Sequence, residues 1–347
     1  MPGTLYGFPY NEELFDYYFR NEPDPITTAL VESGAMVNDP EIAQQISRGS
    51  EIYTVPFYKT IGGDPVNYDG KTDITATETE GGYQTGVVYG RAKAWKARDF
   101  VYDFHKANPM AVIAGQVNRY WAKQRQITLL SILNGIFAVN STVHSGDEFS
   151  KEWEAHTVNI AAASTTIAET NKVTDTTISD ATVKACGDLA FGSFGLAIMH
   201  SAVAQHLADT QLLEYRKYTD PMGIERSLPI VDINGLTVIV YDGVPTAQGS
   251  VSKATEYTSY VLGNGSLRYA PAPVKAPYEP FRDPKTNGGE DLLYTRLRET
   301  ISPNGFTYIP QSGDAVSPTN EMLAEGKRYK PIFEPKCLPM VRIVSNA

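Results

Sequence analysis

The side chains best able to do chemistry are Met199-His200-Ser201, with His206 and Asp209 a few residues on. A base, a hydroxyl and a carboxylate are the ingredients of nucleophilic hydrolysis: the imidazole takes the hydroxyl proton and the acid orients the imidazole. The spacing argues against that use. Adjacent residues on one segment rarely face each other, and no Gly-x-Ser-x-Gly elbow surrounds Ser201. His200 and Ser201 fit better at a strand-to-helix turn, where polar side chains cap the first helical turn. Gly263-Asn264-Gly265 lacks the spacing of a phosphate-binding loop and the helix that should follow one, so it reads as a tight turn. His105, His144 and His156 stand singly, without metal-ligand spacing. Cys186 and Cys337 belong to no Cys-x-x-Cys pair, and two free thiols in a reducing cytosol are expected. No catalytic group, metal or cofactor is expected.

The composition points the same way. A chain of 347 residues exceeds what one core usually serves, so two domains are expected. The net charge of −10, with no basic run, lacks the electrostatic footprint of a nucleic-acid reader. Tyrosines number 21 against 13 phenylalanines, which favours contact surface with a polar tip. The N-terminus has neither a basic nor an apolar leader region, so no signal peptide is read. The most apolar stretch, Leu129 to Val139, is shorter than the roughly 20 residues a bilayer span needs. A soluble product made in a cytoplasm is expected.

The elements that would have to position any chemistry are mostly extended. Residues 1–50 form an aromatic arm: Tyr6, Phe8, Tyr10, Phe15, Tyr17, Tyr18 and Phe19 precede Pro23 and Pro25, with short helices expected at Pro25–Gly34 and Pro40–Arg48. Such a segment cannot bury its rings alone. Glu51–Phe57 alternates apolar and polar in strand period, and Val87, Tyr89 and Trp95 mark a second run. Between them lies a polar, glycine-rich span carrying Tyr68, Lys71 and Asp73, so the whole reads as a long hairpin with almost no apolar content at its far end. An isolated ribbon is marginal in water and implies support from other chains. Asn108 and Pro109 then open a long helix over about 108–139, with Ile113, Val117, Trp121, Ile127 and Leu130 near the helical period.

Residues 140–178 are Thr-rich and weakly patterned, part strand and part loop. A helix capped at Ile178-Ser179-Asp180 runs to about Ala190. A buried strand follows at Gly195–Met199, a helix at His200–Asp209, a strand at Leu236–Tyr241, and a hairpin at Tyr257–Tyr269 turned at Asn264-Gly265. Residues 271–284, with five prolines, are expected to lack regular pairing. Strands return at Leu292–Arg298, Phe306–Ile309 and Met340–Val344.

This order, and several strings within it, resembles the Hong Kong 97 fold of tailed-bacteriophage major capsid proteins. The strings are Val117-Asn118-Arg119-Tyr120-Trp121-Ala122-Lys123-Gln124-Arg125-Gln126, Gly195-Leu196-Ala197-Ile198-Met199-His200-Ser201, Val238-Ile239-Val240-Tyr241-Asp242-Gly243-Val244-Pro245 and Thr300-Ile301-Ser302-Pro303-Asn304-Gly305-Phe306. Ser317-Pro318-Thr319-Asn320 resembles the closing segment. The resemblance covers most of the chain.

It implies an α+β protein with an N-terminal arm over 1–50 and an extended loop over 51–97. A peripheral domain would take 98–150 and 290–347, with its spine helix at about 108–139. An axial domain would take 151–289. It implies homo-oligomeric hexamers and pentamers closing an icosahedral shell in the virion, assembled in the host cytoplasm with scaffolding and portal proteins. Packaged double-stranded DNA would be enclosed by a wall that does not read sequence, and no membrane is involved. Some members of the family crosslink a loop lysine to an asparagine; no motif pairs Lys71 with a partner, so non-covalent closure is expected. Intersubunit contacts are expected at Tyr6, Phe8, Tyr10, Phe15, Tyr17, Tyr18, Tyr68, Lys71 and Asp73. Two other readings remain: an encapsulin-type nanocompartment shell, and a soluble hydrolase built on His200, Ser201 and Asp209.

Overall fold

A computed structural model of the protein describes residues 4–5, 8–9, 34–59, 61–62, 64–71, 73, 76, 78–98, 109–162, 164, 166–190, 192–210, 214–219, 225–233, 235–249, 254–285, 289–314 and 316–347. At 4–5, 8–9, 109–112, 114, 175, 214–219 and 225–233 only the backbone is described. The expected helix at Pro25–Gly34 and Asn108, the expected cap of the long helix, therefore lie outside the described residues or at their edge.

Two short strands, β1 (Thr4–Leu5) and β2 (Phe8–Pro9), pair antiparallel. After β3 (Met36–Asn38), α1 (Pro40–Ser47) begins where Asp39 Oδ1 accepts the backbone N–H groups of Glu41 and Ile42. Proline at its first position loses nothing, because that N–H has no helical partner. A ribbon forms from β4 (Ile52–Tyr58) and β5 (Gly81–Val87), with Ile52 opposite Val87 and Tyr58 opposite Gly81, so its return strand lies largely in the span read as polar and glycine-rich and not in the run of Val87, Tyr89 and Trp95. β6 (Tyr89–Arg98) then leaves the ribbon and joins a larger sheet.

The long helix, α2 (Pro109–Phe137), has 29 residues and spans about 44 Å at roughly 1.5 Å per residue. Its first half packs Val117 and Trp121 on Leu293, with Trp95 and Tyr120 alongside. In its second half Leu129, Leu130, Ile132, Leu133, Ile136 and Phe137 are all buried, and only a narrow stripe through Ile127, Ser131 and Asn134 stays partly exposed. Of the expected stripe, Val117, Trp121 and Leu130 are buried, while Ile113 and Ile127 are partly exposed. Gly135 lets this half come close to its surroundings: a Cβ there would meet the Leu323 carbonyl and the Tyr329 ring.

The Thr-rich connector holds more structure than its pattern suggests. α3 (Glu148–Trp153) is capped by Asp147, whose carboxylate accepts the Ser150 N–H, and β7 (Thr157–Asn159) follows. α4 (Asp175–Cys186) starts three residues before the expected Ile178, because the Thr174 hydroxyl accepts the Thr177 N–H and caps it. Next come β8 (Phe194–Met199), α5 (Ser201–Asp209), β9 (Glu214–Thr219), β10 (Glu225–Ile233), β11 (Leu236–Val240), β12 (Thr246–Gln248) and β13 (Thr255–Gly263). Then follow β14 (Leu267–Ala272), β15 (Tyr278–Asp283), β16 (Glu290–Pro303), β17 (Phe306–Tyr308), α6 (Asn320–Leu323), β18 (Tyr329–Pro331) and β19 (Met340–Ser345).

Two sheets organise most of these strands, while β17 and β18 pair with each other. One runs β7-β19-β13-β8-β11-β10-β9, with β12 on β13; the other runs β15-β16-β14-β3, with β6 along β16. β8 and β11 are parallel, joined by a crossover containing α5. In the first sheet, side chains alternate between two cores, as a strand period of two requires. Leu196, Ile198, Tyr260, Leu262 and Met340 face the end of α2, whereas Ala197, Met199, Val261, Val341 and Ile343 face α4 and α5.

Two expectations are corrected. Tyr257–Tyr269 is not a hairpin: β13 pairs with β8, β12 and β19, while β14 pairs with β16 and β3. The turn at Asn264-Gly265 exists, with Gly265 at φ +68°, but it passes the chain between two sheets. The proline-rich segment is not irregular either. β14 extends to Ala272, and β15 pairs with β16 at Tyr278–Asp283. Among the described residues β15 pairs with β16 alone, and such an edge position tolerates Pro280 because a strand edge needs no N–H donor.

Candidate functional site

The hydrolytic constellation does not form. His200 Nδ1 accepts the Ala202 N–H at 3.1 Å, which caps α5 and occupies the lone pair a base would need. Ser201 Oγ lies 3.5 Å from that same nitrogen, and its backbone N–H donates to Asp242 Oδ1 at 3.1 Å. Hydrogen bonding from Ser201 to Asp242 holds the Asp242 carboxyl below its usual range. Asp209 sits at the far end of α5, about 13 Å along the helix from His200, too far to orient it. The group is a helix start. No three His, Cys, Asp or Glu side chains converge as metal ligands among the described residues.

The feature that asks for a function is the β4–β5 ribbon. Its inner half is anchored to the body. Gln84, 4% exposed, donates from Nε2 to the Pro303 and Phe306 carbonyls at 2.9 and 3.1 Å. The Thr85 N–H donates to Thr307 Oγ1 at 3.1 Å, Tyr53 is buried against Thr300, and Phe57 meets Phe333 edge-on. Beyond this anchor every described residue from 58 to 80 is exposed. Lys59 and Glu80 pair across the ribbon at 2.7 Å, and no strand lies between them among the described residues. Tyr58, Ile61 and Tyr68 are 84%, 81% and 96% exposed, and Val66 and Tyr83 are exposed as well. Large apolar side chains gathered in the open on one element are uncommon on a soluble monomer.

Of the residues expected to make contacts between subunits, Tyr68, Lys71 and Asp73 are exposed on this span. The Asp69 carboxylate accepts the Lys71 N–H at 2.9 Å. Tyr6, Tyr10, Phe15, Tyr17 and Tyr18 lie outside the described residues, and Phe8 is described by its backbone alone.

Where the ribbon meets the body lies a buried ionic network that pattern reading did not find. Glu299, on β16, is 1% exposed. It accepts from Arg125 Nε at 2.9 Å, from the Tyr89 hydroxyl at 3.2 Å and from the Tyr269 hydroxyl at 3.2 Å. The Arg125 guanidinium also lies over the Tyr269 ring. Burial, then the Glu299 charge, raises both tyrosines above their usual range, Tyr269 to about 12. Burial alone would lower Arg125, but the Glu299 carboxylate more than offsets this and the guanidinium stays charged. One carboxylate thus ties together the spine helix α2, β6 at the ribbon's root, β14 and β16.

A second buried group ties the chain around α3 to β19 and to the end of α2. His156 stacks on Trp153 and its Nδ1 bonds the Met340 carbonyl at 2.8 Å, leaving Nε2 buried without a hydrogen bond. Trp153 donates in turn to the Ile136 carbonyl at 2.8 Å.

The chain matches no protein-family model. It is 24% identical over 334 residues to the major capsid protein of Bacillus phage SPP1, covering 95% of this chain and 94% of that protein. Its structure is similar to the capsid of Ralstonia phage GP4, with a TM-score of 0.56 at 11% identity over 91% of this chain and 88% of that one. It is also similar to the capsid of cyanophage Pam1, with a TM-score of 0.52 at 11% identity over 88% and 87%. The architecture is therefore α+β and belongs to the class built by phage shells. The chain has the Hong Kong 97 fold of tailed-bacteriophage major capsid proteins.

Proposed function

We infer that this protein is the major capsid protein of a bacteriophage head, a structural subunit that assembles with copies of itself. The observation that carries the reading is the ribbon: an element anchored at its root, with Tyr58, Ile61 and Tyr68 projecting into solvent. A monomer gains nothing from exposing them, whereas a neighbouring copy would bury them. Similarity along nearly the whole length to a phage major capsid protein supports the same reading.

In this proposal residues 1–50 are an arm packed on a neighbour and 51–97 are the loop that clasps another. Residues 98–150 with 290–347 form a peripheral domain and 151–289 an axial domain. The subunits form hexamers and pentamers, and heterologous contacts close them about symmetry axes into an icosahedral shell. Each contact is modest, and many repeats make the shell stable through mass action. Scaffolding and portal proteins guide assembly in the host cytoplasm, and double-stranded DNA lies inside the finished virion. With a net charge of −10 the wall repels DNA overall, which suits enclosure without sequence reading. The shell does no chemistry, and His200 and Ser201 serve only to begin a helix.

The test is a triple substitution, Tyr58→Ser, Ile61→Ser and Tyr68→Ser, all at exposed positions that leave the fold intact. The variant is expected to keep the wild-type circular dichroism spectrum and melting temperature but to yield at least tenfold fewer closed particles by sedimentation. Particles at wild-type yield would remove the ribbon tip from assembly.

A further inference from the structure

The two cysteines stand far apart in sequence but in neighbouring elements. Cys186 ends α4, and its thiol lies 3.6 Å from the carbonyl oxygen of Leu338, the residue that directly follows Cys337. Cys337 closes the short 3-10 turn Pro335–Cys337, which packs against α4. Cys186 is 1% exposed and Cys337 is exposed, so the two differ sharply in access to a reagent.

We propose that Cys186 and Cys337 form a redox-operated staple: free thiols where the protein is made, and a disulfide once it meets an oxidising medium. A lone buried cysteine would be an ordinary small core residue. Two cysteines on packed elements, one accessible and one shielded, make the arrangement of an attacking and a resolving thiol. The co-reactant is a small-molecule disulfide such as oxidised glutathione. The Cys337 thiolate attacks one of its sulfurs, forms a mixed disulfide and expels one glutathione thiolate. Cys186 then loses its proton to solvent base, its sulfur attacks the Cys337 sulfur, and the second glutathione leaves as thiolate. Two protein thiols are oxidised and one glutathione disulfide becomes two glutathione thiols.

Burial, with the neighbouring Cys337 thiol, pushes the Cys186 thiol up to about 11, so the second step is the slow one. The bond would tie α4 to the turn that leads into β19, the strand between β13 and β7 in the first sheet. Closing so long a loop restricts mainly the unfolded chain.

The experiment uses the full-length protein, assembled or not. It is incubated with oxidised glutathione at mildly alkaline pH, alkylated under denaturing conditions, digested without reductant and analysed by mass spectrometry. The expected result is a peptide pair joining Cys186 to Cys337, restored to two alkylatable thiols per chain by reductant. Cys186→Ala should instead stop at a stable glutathione adduct on Cys337, and Cys337→Ser should leave Cys186 unmodified under the same native incubation. A wild-type protein that accumulates only the Cys337 adduct, or that links Cys337 to Cys337 of another copy, would overturn the proposal. Each of these readouts is independent of whether particles form.

Discussion

Replacing Arg125 with leucine is expected to destabilise the protein by about 3–5 kcal/mol, the usual cost of stranding one partner of a buried ion pair. Glu299 would keep two tyrosine hydroxyls but lose its only cation in the hydrogen-bonded network described for it, at 1% exposure. Chemical denaturation of Arg125→Leu against wild type measures the loss. The double variant Arg125→Leu, Glu299→Met distinguishes stranding from simple loss of contact. Removing both charges in favour of apolar groups of similar volume should recover most of the deficit. A double variant as unstable as the single one would show that the pair stabilises by its own attraction. Because Tyr89 on β6 and Arg125 on α2 meet at this carboxylate, the lesion should also loosen the root of the ribbon. Hydrogen exchange at residues 89–98 should then rise more than at 340–345.

His156 should make the protein acid-sensitive. Burial lowers its folded-state pKa to about 4, despite its hydrogen bond to the Met340 carbonyl. The unfolded value is about 6.5. Above that value the imidazole is neutral in both states, and its contribution to stability is fully present. As the pH falls from about 6.5 toward 4, the unfolded chain takes up a proton that the folded chain refuses, so stability declines. The slope is about 1.4 kcal/mol per pH unit, and the total is roughly 3 kcal/mol. Between about pH 6.5 and 5 this decline is separated from that of the carboxylates lowered by their partners, such as Asp147 and Glu325, which titrate further down. His156→Gln can still donate to the Met340 carbonyl and carries no charge. Its stability should be nearly flat over that window, measured by denaturation at stepped pH. An unchanged slope would place the acid sensitivity elsewhere.

The parts of the fold that the sequence announces are those with local causes. α2 follows from Pro109 and an apolar period that α-helical geometry alone explains. α5 follows from His200 as its cap. The ribbon was legible for the opposite reason: its far span has too little apolar content to pack, so its projection is a deficit readable in composition. What was not legible depends on partners distant in the chain. Asn264-Gly265 specifies a turn, but β8, β16 and β19 decide which sheets the strands on either side of it join. Five prolines suggested a loop at 271–284, yet the edge of β16 accepts a proline-bearing strand. Thr174 caps α4 from a Thr-rich run in which several residues offered the same hydroxyl. The Glu299 network joins residues up to 210 positions apart, and nothing in the type or spacing of Arg125 and Tyr89 marks them as its members. The connector helix α3 is short, and its Asp147 cap was the one signal for it.

The central claim is that the span 59–80 finds its partner on another copy of the same chain. Cryo-electron microscopy of the purified full-length protein tests it most directly. Closed icosahedral particles are expected, with the exposed rings of Tyr58 and Tyr68 in each subunit covered by a neighbour. Monomers at concentrations that support assembly of a shell protein, or particles whose ribbons point into solvent untouched, would contradict the account.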